Sequence, residues 1–152
     1  MNARLLLMTA SAMLVSTIVV PAAWPQAKPE VLLKQRQAAM TLQAKYFGPL
    51  VGILRGTSPY DPAVVGRNAR YLEALAAMPW DGFPESTQGE ESRALPAVWS
   101  DAERFRRMAG EFQSAVATLV AASDAGREED VRTAIEGVGK ACGGCHDAFR
   151  RK

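Results

Sequence analysis

Histidine occurs once in these 152 residues, as His146, and cysteine only twice, as Cys142 and Cys145. A closed zinc site needs four good nitrogen or sulfur ligands, and no further Cys or His exists to complete one. A disulfide between two cysteines so spaced within a helix is geometrically poor. A redox dithiol would open a helix beside a strand, whereas this pair lies near a helix C-terminus and no segment alternates as a strand. Aromatic residues make up 7%, the formal net charge is +2, and like charges form no block, so a nucleic-acid or membrane-surface partner has no footing. No nucleophile–base pair, metal-ligand cluster or phosphate-binding loop is present, and no enzyme is expected.

The N-terminus reads as a targeting segment. Arg4 precedes an uncharged stretch from Leu5 to Val20, and small residues follow at Ala22 and Ala23. That apolar run, about 16 residues, suits a cleaved signal peptide over 1–23 and is short for a membrane span. Pro21 and the lack of a basic flank after it argue against an uncleaved anchor. The expectation is export, with residues 24–152 as one mature domain, no membrane association after cleavage, and nearly balanced charge once Arg4 is gone.

Helical periodicity organises that domain. A first helix begins near Lys28-Pro29-Glu30; Leu33, Arg36, Met40, Ala44 and Phe47 recur at helical spacing, and Gly48-Pro49 should bend it. Asp61-Pro62 starts a second helix that halts before Pro79, and residues 80–98 read as loop. Ser100-Asp101-Ala102-Glu103 fits a capping box opening a third helix, which ends at Asp124-Ala125-Gly126. The fourth carries the sharpest stripe: Val131, Ile135, Val138, Cys142, Cys145 and Phe149 alternate steps of four and three. Four helices with short links predict an all-α fold, an antiparallel up-down-up-down four-helix bundle.

The last helix also carries the chemistry. Cys142-Gly143-Gly144-Cys145-His146 is a CxxCH sequence, the attachment motif for haem c. Two thiols separated by two residues reach the two vinyl positions of one porphyrin edge, and the adjacent imidazole of His146 reaches the iron from one face. Both cysteines fall on the apolar stripe, which places one covalent haem near one end of the bundle, inserted among the helices. Gly143 and Gly144, each costing about 1 kcal/mol of helix propensity, leave room for a flat group close to the backbone.

A CxxCH closing the last of four helices resembles the cytochromes c′, the class II c-type cytochromes. The likeness extends to Lys28-Pro29-Glu30, Arg36-Gln37, Pro79-Trp80, Pro96-Ala97-Val98-Trp99 and Cys142 through Arg150. It implies a periplasmic homodimer with one haem, usually five-coordinate, that exchanges electrons with a redox partner protein and in many members binds nitric oxide or carbon monoxide. The resemblance gives Cys142 and Cys145 the thioethers and His146 the axial ligation. Arg36 and Gln37 match positions near the haem propionates, Glu91 and Ser92 a loop that touches the haem edge, and Arg150 a basic residue one turn beyond the histidine. Arg150 either tunes the imidazole or belongs to a solvated basic tail, Arg150-Arg151-Lys152.

The resemblance also puts Met40, one turn after Arg36, on the distal face. Met40 either ligates iron, giving a low-spin His/Met electron carrier, or packs as an apolar plug beside a vacant position. The second arrangement is the expectation, with Met78 and Met108 in the core. Electron carrier and gas binder are the two functional readings; a helical bundle with an incidental CxxCH is the third.

Overall fold

Four long helices form the body of the protein in the computed structural model, which describes residues 27–152. They are α1 (Pro29–Leu54), α2 (Pro62–Ala76), α4 (Ala102–Ala125) and α5 (Glu128–Phe149), with a single turn, α3 (Ala97–Ser100), before α4. The leader expected over 1–23 lies outside the described residues. Around the bundle α1 packs on α2, α2 on α4, α4 on α5 and α5 back on α1. This is the expected four-helix architecture.

The local signals act mostly as the sequence suggests. Asp61 caps α2, its Oδ1 accepting from the amides of Ala63 at 2.8 Å and Val64 at 3.3 Å. Gly126 closes α4 in the left-handed region at φ 75°, where a Cβ would be strained. α1 runs on through Pro49 to Leu54. The turn beyond the proline is held by its own burial, Leu50 being 0% and Ile53 2% exposed. Each such side chain contributes about 1.5–3 kcal/mol.

Three expectations need correction. The capping box does not form: Ser100 closes α3, its amide bonded to Pro96 O at 3.1 Å, so it is already helical and cannot take the extended N-cap conformation. Asp101 is the N-cap of α4 instead, without a side-chain cap bond. The segment 80–98, read as loop throughout, contains two 3-10 turns, Trp80–Gly82 and Glu85–Thr87, and the start of α3. Met78 is 55% exposed rather than core, because α2 ends at Ala76 and the chain turns outward there.

The connection between α2 and α4 is pinned at several points. Trp80 Nε1 donates to Ala76 O at 2.6 Å, and Trp99 Nε1 lies 3.1 Å from both Phe83 O and Pro84 O. Residues after α5 pair with the same connection, Leu95 N donating to Phe149 O at 2.9 Å and Arg151 N to Arg93 O at 2.8 Å. Gly82 permits the close seating of the first 3-10 turn on α1: a Cβ there would lie 2.8 Å from Arg36 Cβ and 3.2 Å from Leu32 O. Neither atom is a free side-chain end. Gly82→Ala should therefore destabilise the protein by about 1–3 kcal/mol, read as a lowered thermal midpoint; an unchanged midpoint would show that this contact yields.

Candidate functional site

The stripe on α5 sets up the site. Val131, Ile135 and Val138 are 0% exposed and lock the first half of the helix into the core. Carried forward at ~100° per residue, the same face brings Cys142 and Cys145 to a half-buried position, while His146 is turned to the exposed side. All three border a cleft with about 750 Å³ of empty space, opening to solvent. Its other walls are Met40, Gln43, Ala44 and Phe47 of α1, Leu72 of α2, Trp80, and Phe112 of α4. Every long helix thus contributes, and the lining is almost wholly apolar.

The polar groups at the cleft are few. Gln43 is tied away by its amide, Nε2 donating to Leu75 O at 2.9 Å. The two cysteines are not bonded to one another. Burial pushes the Cys142 thiol up to about 11, with the neighbouring Cys145 adding to the effect, and burial raises Cys145 too. Both are therefore neutral thiols at physiological pH. His146 is shifted the other way, first by partial desolvation and then by the charge of Arg150, whose Nη1 lies 3.4 Å from Nδ1. That favours the neutral imidazole, the form that ligates metals.

Arg36, one turn before Met40 on α1, is not itself a wall of the cleft. It is 3% exposed, and its guanidinium is held by neutral acceptors: Nη1 by Gly82 O at 2.7 Å and Thr87 Oγ1 at 3.0 Å, Nη2 by Ser92 Oγ at 3.3 Å. The Phe83 ring lies 4.2 Å from Cζ. Burial lowers its pKa, partly countered by Glu90, yet none of the ion pairs among the described residues includes it. A buried cation of this kind calls for an anion.

The structure therefore brings Met40 together with Cys142, Cys145 and His146 on one cleft, joins Arg36 to Ser92, and sets Arg150 against His146. Gln37 and Glu91 are exposed. The Gln37 side chain makes no hydrogen bond among the described residues; the Gln37 backbone oxygen accepts from Thr41 Oγ1 at 2.8 Å. The two glycines of the motif differ in role. A Cβ on Gly143 would meet nothing within 4 Å, whereas one on Gly144 would lie 3.4 Å from Met108 Cε, so Gly144 faces α4. Met108 is half-buried beside Cys145. Sequence reasoning missed Phe112, Leu72 and Trp80 as walls and Thr87 as a partner of Arg36. Phe112 and Leu72 sit on apolar helical stripes that mark the core but do not tell core from cleft.

A porphyrin fits this donor set: two half-buried thiols on one wall, an imidazole beyond them, apolar walls opposite, and, one turn before Met40, a buried guanidinium that makes no ion pair among the described residues. A helical bundle so equipped is a c-type cytochrome of the four-helix class. Residues 32–150 match the family model described as Cytochrome C'. Cytochrome c′ of Alcaligenes xylosoxydans xylosoxydans is 42% identical over 126 residues, covering 83% of this chain and 98% of that protein. Cytochrome c′ of Rubrivivax gelatinosus is 37% identical, covering 82% and 98%. The nitric oxide complex of a single-residue mutant of the Alcaligenes xylosoxidans protein superposes with a TM-score of 0.76, covering 83% of this chain and 98% of that one. The chain belongs to the cytochrome c′ family, and its prosthetic group is one covalently attached haem c.

Proposed function

We propose that this protein is an exported, periplasmic cytochrome whose iron has one protein ligand, His146, and which exchanges electrons with a redox partner and binds small diatomic gases at the opposite face. The observation that carries the reading is the cleft itself: opposite the cysteines its only side chain with an atom able to ligate iron is Met40, the rest being Ala44, Phe47, Leu72, Trp80 and Phe112, with Gln43 engaged elsewhere. Bound haem would supply a ferric/ferrous couple and an iron able to take up a small gas. Cys142 and Cys145 fix the ring edge to α5. His146 provides a neutral imidazole, with Arg150 holding that protonation state and, through its charge, raising the potential. The apolar walls would exclude water and bulky or charged ligands, with Met40 serving as an apolar plug on the gas-binding side of the cleft. The nitric oxide complexes known for the Alcaligenes relative support gas binding here.

Optical spectra of the purified protein test this. A high-spin ferric spectrum, with a ferrous spectrum that shifts on adding carbon monoxide or nitric oxide, is expected. A low-spin spectrum indifferent to both gases would establish the alternative, a six-coordinate His/Met electron carrier with Met40 as sixth ligand. Among the described residues no helix is long and apolar enough to cross a membrane.

The homodimer is proposed to form through α1 and the end of α2. Val31, Leu42, Tyr71 and Met78 are the large apolar side chains left exposed there, between 39% and 55%. Within this face the Tyr46 and Tyr71 rings, 4.6 Å apart, join the two helices. Leu42→Glu combined with Met78→Glu should weaken the dimer by at least about tenfold, seen as a monomer in sedimentation. A dimer that persists at the same dissociation constant would move the interface elsewhere.

A further inference from the structure

Arg36 sits one turn before Met40 on α1, with most of its hydrogen-bonding capacity directed by the connection after α2. Nη1 is used up by Gly82 O at 2.7 Å and Thr87 Oγ1 at 3.0 Å, and Nη2 spends one hydrogen on Ser92 Oγ at 3.3 Å. Nε and the second Nη2 hydrogen make no hydrogen bond to any described residue, and these are donors that a carboxylate takes in a bidentate pair. Thr87 differs from the other holders. Gly82 contributes a backbone carbonyl, and Ser92 is only half-buried and more distant. The Thr87 side chain is 0% exposed, and its single hydroxyl proton is committed to Pro84 O at 2.8 Å. Only lone pairs remain to face Arg36, so Thr87 is fixed as an acceptor.

We propose that Thr87 is a positioning residue: its hydroxyl, locked as an acceptor by Pro84 O, aims the free edge of the buried Arg36 guanidinium at a carboxylate of the haem and so sets how strongly that charge favours the reduced iron. This rests on the reading of Arg36 as the partner of a haem propionate. A cation beside the ring stabilises the ferrous state, which carries one positive charge fewer, and inside a protein the effect falls quickly as the cation moves away. Releasing Nη1 from Thr87 lets the guanidinium swing within its cage. The covalent linkage is untouched.

The test is the reduction potential of the holoprotein in four variants, each checked for covalent haem and helical content. Arg36→Gln should lower the ferrous-to-ferric ratio at a fixed applied potential about tenfold, or about 59 mV for a one-electron couple. Thr87→Val, close in shape but without the hydroxyl, should lower it about threefold, and Thr87→Ser should restore the wild-type value. Adding Thr87→Val to Arg36→Gln should change nothing further, since the side chain that Thr87 holds is gone. A wild-type potential in Thr87→Val, or the same Thr87→Val shift in the Arg36→Gln background, would overturn the positioning role while leaving Arg36 as the haem partner. A wild-type potential in Arg36→Gln would overturn the reading of Arg36 and the proposal with it.

Discussion

Cys142→Ala combined with Cys145→Ala yields an exported chain that gives no haem stain on a denaturing gel. The loss should be complete rather than graded, because these are the only two thiols in the sequence. Either single variant retains one attachment point and should stain, at reduced yield. The double variant should also be less stable by roughly 3–5 kcal/mol, because the apolar walls contributed by Phe47, Leu72 and Phe112 lose the group they pack against. Heat or denaturant unfolding of singly and doubly substituted protein, run beside the haem stain, measures both effects. Covalent haem surviving in the double variant would refute the attachment sites.

Met40→Ala is expected to produce the second large change. If Met40 plugs an open axial position, the ferric spectrum stays high-spin and the affinity for carbon monoxide rises by roughly tenfold or more, since each 1.4 kcal/mol of relieved crowding is a factor of ten. Gas titration of the ferrous variant reads this directly. A low-spin wild type converted to high-spin by Met40→Ala would instead assign the Met40 sulfur as a ligand. Met40 is half-buried on the cleft wall, and the spectrum of the wild type against the variant assigns its role.

Much of this arrangement is legible before any coordinates. The stripe from Val131 to Phe149 fixes the face that α5 presents, and the CxxCH on that stripe marks the proposed attachment of the haem. Asp61-Pro62 marks the start of α2 because capping is chemistry local to four residues. The Arg36–Met40–Ala44–Phe47 spacing announces one face of α1, and that face supplies a wall of the cleft. These signals are short-range, and each is encoded by the segment that displays it.

What stays hidden is the connection after α2. Residues 80 to 96 have no periodicity, and their partners lie far along the chain: Gly82 and Thr87 meet Arg36 across 46 and 51 positions. Nothing local says that a threonine in a polar stretch is fully buried, or that Arg36 is a buried cation rather than a solvated one. The failed capping box at Ser100 has the same origin. α3, seated by Val98 in the aromatic cluster around Phe105 and Phe149, brings Ser100 to the end of an existing helical turn, and tertiary packing prevails over the local signature. Met78 is exposed for a simpler reason: α2 ends at Ala76, two residues before it, and Pro79 follows.

Intact-mass measurement of the denatured, exported protein most directly tests the claim that one haem is bonded through both cysteines of α5. A single species is expected, the chain without its leader plus one haem, with proteolysis placing the added mass on the peptide that contains Cys142, Cys145 and His146. A bare polypeptide with two free or oxidised thiols would contradict it.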